Sequence, residues 1–568
     1  MPFSRASMAV SWTSNAVANL RDRACSLFPF RKPAGIPRQR DISSSPHLGP
    51  ELLHPVSRVR SVVPAPQPSL FFNSSSLLHH GQRVQKLHPA SHQRFPAFCM
   101  PVSWLSSGCL RSGATSVHQP TQELCFPRQR RREGVAASNL RFGDGVTAEV
   151  GMDLKNMGAR KVGVFTDPNV AKLRPMKTAL AALEAQTDLP FEVYDSVLAE
   201  PTEDSFRAAI DWARGHDFSH FLAVGGGSVI DTAKAANLYS VYKDADLMDF
   251  INAPVGKGLP ITKALMPLIA VPTTAGTGSE TTGTSILDIT SMSFKTGIAN
   301  RAMKPVLGIV DTHNTESCPT AVHISAGLDV LFHSLESYTA IPYTERTPRP
   351  ANPILRPAYQ GSNPVADIFS LWALQTTVKN LPRIAKNRDD TEARRQMLLA
   401  SSFAGIGFGN AGVHLCHGMS YPISGLNKKG PKYKHAGYVT DLPIIPHGIS
   451  VALTGPAVFQ FTAPSSPDRH RQALAIFNGT TVSDPNIARI PDAEVGNYLY
   501  EAIARFLDGL GVPRGLKAIG YGRNDIEKLV AGTLPQRRVL DLAPGIGDVI
   551  GSDGREHLTR IMERSFEY

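Results

Sequence analysis

The chain is poor in cysteine and has no long apolar run. It has 568 residues but six cysteines, of which Cys25, Cys99, Cys109 and Cys125 precede residue 136. Only Cys318 and Cys416 remain for the rest of the chain, which excludes a disulfide framework and a cysteine-based zinc site and fits a reducing compartment. A transmembrane helix needs about 18 or more consecutive apolar residues, and the sequence contains no such run.

Acidic residues are scarce in the first 135 residues, which we call the leader. The leader contains 17 Lys and Arg against 5 Asp and Glu, so it carries +12 of a total net charge of +11, and the remaining chain carries −1. The basic character therefore belongs to the leader alone. The run "RQRRR", residues 128–132, lacks interleaved aromatic residues, so we do not expect the protein to bind nucleic acid.

The leader is rich in Ser, Pro and Arg, and its apolar pieces are short. This composition predicts a disordered segment. Arg- and Ser-rich, acid-poor N-termini are typical of mitochondrial transit peptides, so we expect a location in the mitochondrial matrix, with a plain basic tail as the alternative. Met1, Met8 and Met100 are three candidate start residues.

The rest of the chain falls into two parts. In residues 136–318, four near-continuous apolar runs (161–165, 220–226, 267–273 and 306–311) predict buried parallel strands, and amphipathic segments at 171–186 and 205–215 predict helices between them. This alternation indicates an α/β domain. Residues 319–568 show helical periodicity only, which predicts an all-helical domain.

A glycine-rich turn follows the second of these strands. In "AVGGGSVIDTAKAANL" a strand leads into Gly225, Gly226, Gly227 and Ser228, and a helix follows. Glycine lets the backbone approach a diphosphate closely, and the helix N-terminus attracts an anion, so the turn is a candidate phosphate site. The alternative is a tight strand-to-helix connection. By contrast, "GIGFGNAG", residues 405–412, follows a helical segment, which favours close helix packing.

Two further segments are polar candidates. The stretch "PTTAGTGSETTGTSILD" offers the hydroxyls of Thr273, Thr277 and Thr282 to a cofactor, or it hydrogen-bonds only to itself. Asp167, in "TDPNV" after the first strand, binds ribose hydroxyls or simply caps the next helix.

The apolar helix "GLDVLFHSLES" carries Asp329 and His333 one turn apart, so the two side chains face the same point. An isolated pair of this kind favours an Asp–His hydrogen bond. Four more histidines on apolar segments follow, however, and together they make a mononuclear metal site the better hypothesis. These histidines are His414, His417, His435 and His447.

Taken jointly, "GGGSVIDTAKA", "PTTAGTGSE", "GLDVLFHSLESY", "CHGMSYP" and "PHGISVAL" resemble the iron-containing alcohol dehydrogenases, from residue 138 to about 544. The resemblance implies a dinucleotide-binding α/β domain, a helical domain and a metal in the cleft between them. It implies a tightly bound NAD and a divalent metal, with Fe²⁺ expected and Zn²⁺ compatible. Its implied metal ligands are Asp329, His333, His417 and His447. Its implied cofactor contacts are Asp167, Gly225, Gly226, Gly227, Ser228, Asp231, Thr273, Thr277, Thr282 and Lys295.

Two departures from the family pattern resemble one branch, the mitochondrial hydroxyacid-oxoacid transhydrogenases. Many family members carry a further histidine near the substrate where this sequence has Tyr421, a possible participant in proton transfer, and a long insertion precedes His447. The branch implies hydride transfer from 4-hydroxybutyrate to 2-oxoglutarate, giving succinate semialdehyde and 2-hydroxyglutarate. The alternative is an ordinary NAD-dependent alcohol dehydrogenase.

We expect small hydroxy acids and oxo acids as partners, no membrane, and a homo-oligomer. Because both substrates are carboxylates, we also expect cations near the cleft. The insertion supplies a lysine group for this role, although a solvated lysine run is the plainer interpretation: Lys428, Lys429, Lys432 and Lys434.

Overall fold

The structure is a computed structural model, and it describes residues 134–292, 294–347, 350–438, 443–549 and 551–568. The predicted transit peptide and the three candidate start residues lie outside the described residues. The described residues fall within one compact unit. The division into domains at residue 318 stays a prediction.

A six-stranded parallel sheet forms the first part, with the strand order β1-β8-β5-β4-β2-β3. A two-stranded antiparallel hairpin, β6 and β7, lies in the chain between β5 and β8. The strands are β1 (Asn139–Phe142), β2 (Val162–Phe165), β3 (Phe191–Tyr194), β4 (His220–Gly225), β5 (Leu268–Pro272), β6 (Thr284–Ile289), β7 (Phe294–Ala299) and β8 (Leu307–Val310).

The four apolar runs coincide with β2, β4, β5 and β8, and these predictions are confirmed because every residue of these strands is buried. The sequence did not predict β1 and β3. Both are edge strands of four residues in which no residue is fully buried, so neither has the continuous apolar run that marks a central strand.

Helices connect the strands of the sheet and then make up the second part. Those of the first part are α1 (Val150–Asn156), α2 (Arg174–Glu184), α3 (Glu203–Arg214), α4 (Gly227–Val241) and α5 (Leu247–Phe250). Those of the second part are α6 (Thr320–Thr339), α7 (Pro364–Lys386), α8 (Thr391–Ala411), α9 (Leu415–Gly425), α10 (His447–Ala452), α11 (Gly455–Thr462), α12 (Pro467–Phe477), α13 (Pro485–Ala488), α14 (Val495–Gly509), α15 (Gly515–Ala518), α16 (Ile526–Thr533), α17 (Arg537–Leu540) and α18 (Ser552–Arg564).

Short 3-10 helices complete the described secondary structure. They are Val146–Glu149, Val170–Lys172, Ser279–Thr281, Arg301–Met303, Thr312–Thr315, Pro353–Leu355, Ala463–Ser465, Asp492–Glu494 and Arg523–Asp525. Among the described residues after Cys318, no strand of the named sheets occurs, so the helical character predicted for this part is confirmed. Within the same described residues, no helix combines the length and the apolar character that crossing a membrane requires.

The strand order places a crevice between β2 and β4. The chain leaves β2 towards β3 on one side and leaves β4 towards β5 on the other, so the connections diverge where β2 and β4 pair. Open parallel sheets bind ligands at such a point, beyond the carboxyl ends of the strands. Asp167 follows β2, and the glycine turn follows β4, so both candidates flank this crevice.

The long helix α6 is the buried centre of the helical part. Leu328, Leu331, Phe332 and Leu335 are fully buried in the largest apolar core, as the helical spacing predicts. The predicted packing role of residues 405–412 is also confirmed, because most of the segment lies in α8. A Cβ added at Gly405 would come 2.2 Å from the Thr281 hydroxyl oxygen.

The start of α10 lies almost in contact with α6. A Cβ added at Gly448 would lie 1.8 Å from the carbonyl oxygen of Ser325 and 3.0 Å from the amide nitrogen of Asp329. Only glycine therefore permits this approach, which sets the position of the neighbouring His447 relative to Asp329.

We predict that Gly448→Ala destabilises the fold, because the added methyl group meets backbone that cannot rotate away. Overpacking of this kind costs about 1–3 kcal/mol of the free energy of unfolding, which denaturant titration measures. Gly509→Ala is the matched control, since an added Cβ there meets no atom within 4 Å. An unchanged denaturation midpoint in Gly448→Ala would contradict the close approach of α10 to α6.

Candidate metal and cofactor site

Helix α6 presents three ionisable side chains on one face. Asp329, His333 and Glu336 follow each other at spacings of four and three residues, so they line up along the helix. All three are buried, with 3%, 5% and 0% of their surface exposed. Buried ionisable groups need partners, and α9 and α10 supply them.

The carboxylate of Asp329 lies at the centre of three imidazoles. Its Oδ1 atom is 3.5 Å from Nε2 of His333, 3.3 Å from Nε2 of His417 and 3.6 Å from Nε2 of His447. Ligands bonded at about 2.1 Å in a tetrahedral site lie about 3.4 Å from each other. The donor atoms are thus spaced as ligands of one metal ion would be.

The four candidate ligands are not equally close to one another. Donor atoms of Asp329, His417 and His447 lie within 4.8 Å of one another, so these three described residues form a group that could hold an ion. His333 approaches Asp329 but lies outside this group, and its ring stacks on that of His417 with centroids 4.6 Å apart.

Glu336, which the sequence analysis missed, orients His417. Its Oε2 contacts Nδ1 of His417, while its Oε1 accepts a hydrogen bond of 2.5 Å from the amide of Cys416 and lies 3.2 Å from Nδ1 of His414. The contact with Nδ1 leaves Nε2 of His417 to face Asp329. Metal-binding histidines commonly have such a carboxylate on the opposite ring nitrogen. The sequence contains a signal for this role, because Glu336 lies seven residues after Asp329 and therefore on the same helical face.

The electrostatics suit a cation. Burial opposes ionisation of Asp329, but the surrounding imidazoles outweigh it and hold the pKa of this carboxyl below its ordinary value. Burial lowers the pKa of His447 to about 4 and that of His333 to about 3, so both are neutral at pH 7. Burial would lower the pKa of His417 too, but Glu336 and Asp329 outweigh it and raise the pKa to about 9, so this ring carries a second proton at pH 7. Because a metal binds an ionised carboxylate and neutral imidazoles, binding would displace the Nε2 proton of His417.

Tyr421 stands beside the cluster, one turn after His417 on α9. Its ring stacks on that of His447, with centroids 6.4 Å apart and planes 13° apart. Its hydroxyl accepts a hydrogen bond of 2.9 Å from Nη2 of Arg538. Burial raises the pKa of Tyr421, so the phenol keeps its proton at neutral pH.

Lys295 is a buried cation at the same end of the molecule. Its Nζ atom lies 3.8 Å from Oε1 of Glu200. Burial alone would lower the pKa of Lys295, but Glu200 and Asp288 reverse the effect and raise it to about 12. Lys295 therefore carries a positive charge at all physiological pH values.

The glycine turn lies at the carboxyl end of β4 and leads directly into α4. A Cβ added at Gly227 would come 2.5 Å from the side chain of Thr277, and one added at Gly225 would come 2.5 Å from Val229. Packing within the protein therefore also requires glycine at these two positions. The backbone amides at the start of α4 remain suited to binding an anion. Thr273 follows β5, and its amide donates a hydrogen bond of 3.0 Å to the carbonyl of Gly225.

Four other cofactor candidates have protein partners. Asp167 accepts hydrogen bonds from the amides of Asn169 and Val170, which is the capping role considered as its alternative. Asp231 accepts from Ser279 and from the amide of Ile286, and it lies 3.5 Å from the fully buried Nζ of Lys234. Thr282 lies 3.4 Å from the same Nζ. Ser228 donates a hydrogen bond to the carbonyl of Ala199.

The remaining histidines and the lysine group lie at the edge of the site or outside it. His414 is buried behind Glu336, and His435 contacts Tyr433. All four lysines of the insertion are exposed, and Lys428 lies 3.9 Å from Asp288. This exposure favours the interpretation that the four lysines are a solvated surface group.

A parallel sheet with a glycine turn at its crevice, next to a helical part with an Asp–His cluster, is an arrangement suited to a dehydrogenase that uses a metal ion and a dinucleotide. Residues 137–312 match the family described as iron-containing alcohol dehydrogenase, and residues 358–544 match its C-terminal family. The chain belongs to the iron-containing alcohol dehydrogenase family, and it is an oxidoreductase. Family membership implies a nicotinamide cofactor and a divalent metal.

Relatives of high identity share one name, mitochondrial hydroxyacid-oxoacid transhydrogenase. The chain is 52% identical over 433 residues to that of Mus musculus, covering 76% of this chain and 90% of the relative. It is 53% identical over 410 residues to that of Homo sapiens, covering 72% and 86%. The mitochondrial location predicted from the leader agrees with these names.

Solved structures agree with the fold. A 1,3-propanediol oxidoreductase matches with a TM-score of 0.63 at 22% identity, covering 77% of this chain and 100% of that one. An alcohol dehydrogenase from Oenococcus oeni matches with a TM-score of 0.63 at 21% identity, covering 77% and 100%. The predicted fold class, an α/β part followed by a helical part, is confirmed.

We predict that Glu336→Gln weakens metal binding about 10- to 100-fold, because the neutral amide holds His417 less firmly and removes a negative charge behind it. Competition with a chelator measures the affinity. The matched control is Glu316→Gln, which removes another glutamate that contacts a histidine, His313 at 2.6 Å, but at a partly exposed position. Equal metal affinity in Glu336→Gln and the unmodified protein would contradict this role.

Proposed function

We propose that the protein transfers a hydride from 4-hydroxybutyrate to 2-oxoglutarate through a resident NAD, giving succinate semialdehyde and 2-hydroxyglutarate. The observation that carries this proposal is the buried carboxylate of Asp329 with three imidazole nitrogens within 3.6 Å. The relatives' shared name supplies the reaction class, hydroxyacid to oxoacid. The identity of the two substrates goes beyond what that name says.

The ligands of the metal would be Asp329, His417 and His447, with His333 as the fourth. The donor set of one anionic oxygen and three imidazoles fits a divalent cation once His417 has released a proton, and iron and zinc both accept it. Family membership favours iron. When bound, the metal would polarise the substrate oxygen as a Lewis acid, while the nicotinamide would accept and return the hydride.

The chain's own residues would hold the cofactor across the crevice between β2 and β4. The amides at the start of α4, with Gly225, Gly226, Gly227 and Ser228, would bind the diphosphate. Thr273, Thr277 and Lys295 would bind the rest of the cofactor. Asp167, Asp231 and Thr282 already have protein partners, so their proposed role is to shape the crevice.

Tyr421 would assist proton transfer. Its hydroxyl oxygen accepts from Arg538, so its own proton is free to be donated to a substrate oxygen. The expected homo-oligomer and the matrix location complete the proposal.

An assay without free NAD tests the function. We predict that purified protein incubated with 4-hydroxybutyrate deuterated at C4 and with 2-oxoglutarate forms 2-hydroxyglutarate with deuterium at C2, because the bound cofactor takes the deuteride from one substrate and passes it to the other. Mass spectrometry measures the label. His447→Gln, which removes one candidate ligand, should abolish the transfer.

Two results would refute the proposal. One is the absence of labelled 2-hydroxyglutarate together with rapid reduction of added NAD by simple alcohols, which would indicate an ordinary alcohol dehydrogenase. The other is full activity in His447→Gln, which would separate the reaction from the Asp329 cluster.

A further inference from the structure

Arg538 occupies a fixed position close to the Asp–His cluster. It lies on α17, and its neighbours Val539 and Leu540 are fully buried. A Cβ added at Gly418 on α9 would come 3.0 Å from the side chain of Leu540, so α17 packs directly on the helix that carries His417 and Tyr421. A side chain on such a rigid support is well suited to recognise a substrate group.

The guanidinium of Arg538 is one aromatic ring away from the cluster. Nη2 donates to the hydroxyl of Tyr421 at 2.9 Å, and the Tyr421 ring is stacked on that of His447. On the other side, the guanidinium carbon lies 5.1 Å from the centre of the Tyr359 ring. The two phenols hold the guanidinium plane but bring no full negative charge to it.

The other end of the guanidinium lacks an anion. Nη1 is buried and makes no hydrogen bond with any described residue, and among the described ion pairs none involves Arg538. Arginine is always charged, and a buried charge is costly unless an opposite charge accompanies it. The unpartnered end of the guanidinium is therefore suited to an anionic ligand.

The chemistry of the two proposed substrates supplies that anion in the same place. In 4-hydroxybutyrate the carboxylate carbon is three bonds from the carbon that loses the hydride. In 2-oxoglutarate the distal carboxylate carbon is also three bonds from the carbon that accepts it. In both molecules the separation is about 4 Å in an extended chain, so one cation can serve both substrates.

We propose that Arg538 binds the distal carboxylate common to the hydroxy acid and the oxo acid, and so selects carboxylate substrates over plain alcohols. The planar guanidinium suits a carboxylate better than a lysine does. The proposal rests on the proposed transhydrogenase function and replaces the exposed lysine group of the insertion as the source of substrate specificity.

Kinetics with matched substrates test this. We expect Arg538→Gln to lower kcat/KM for 4-hydroxybutyrate about 10- to 100-fold, the usual effect of losing a hydrogen bond to a charged group. The value for 1,4-butanediol, which has the same length without the carboxylate, should change much less. Arg537→Gln is the control, because Arg537 lies on the same short helix but pairs with Asp541 at 2.7 Å. Equal losses for both substrates in Arg538→Gln, or no loss, would overturn the proposal.

Calorimetric binding of 2-oxoglutarate to the metal-loaded protein separates this inference from the proposed function, because it needs no turnover. Weaker binding in Arg538→Gln with unchanged NAD affinity supports the carboxylate subsite even if hydride transfer fails in the unmodified protein. If the transfer succeeds and 2-oxoglutarate binding is unchanged, the subsite is wrong and the function stands. An equal loss of NAD affinity would assign Arg538 to the cofactor and overturn the proposal.

Arg538→Lys keeps the inference testable if Arg538→Gln does not fold. Lysine keeps the charge but lacks the planar fork, so we expect intermediate affinity for 2-oxoglutarate. Affinity equal to that of the unmodified protein in a folded Arg538→Lys would refute bidentate binding.

Discussion

The site depends on one buried carboxylate. Asp329 lies in the apolar interior of the helical part, where burial alone would favour its neutral form, and the imidazoles of three different segments keep it ionised. Because a buried charge is tolerated only with partners, α6, α9 and α10 must meet at this point. Glu336 extends the same arrangement to the far side of His417. The need of the Asp329 charge for partners and the packing of these three helices therefore depend on each other.

The fold places this cluster opposite a second feature with complementary chemistry. The glycine turn and the start of α4 lie at the crevice of the sheet, and the Thr281 region beside them packs on α8 of the helical part. The packing of the two parts would therefore bring together a dinucleotide bound at the crevice and a substrate bound at the cluster. Tyr421 lies beside His447, and its hydroxyl accepts a hydrogen bond from Arg538, so a positive charge lies one aromatic ring from the cluster.

Much of this arrangement could be predicted from the sequence, and the failures have physical causes. The buried strands and α6 follow from apolar patterns, and Asp329 and His333 from helical spacing. The edge strands β1 and β3 lacked a buried pattern, and Arg538 could not be found because a distant arginine has no spacing that links it to Tyr421. Asp167 shows the limit of motif reasoning, since a cap and a ribose ligand look alike in sequence and the structure shows its capping hydrogen bonds.

Anomalous X-ray diffraction from crystals of the purified protein, recorded on both sides of the absorption edges of iron and zinc, tests the central claim most directly. Our account predicts one strong peak within about 2.0–2.2 Å of an Asp329 oxygen and of the Nε2 atoms of His417 and His447. A metal peak elsewhere, or donor atoms of these three residues too far apart to share one ion, would contradict it.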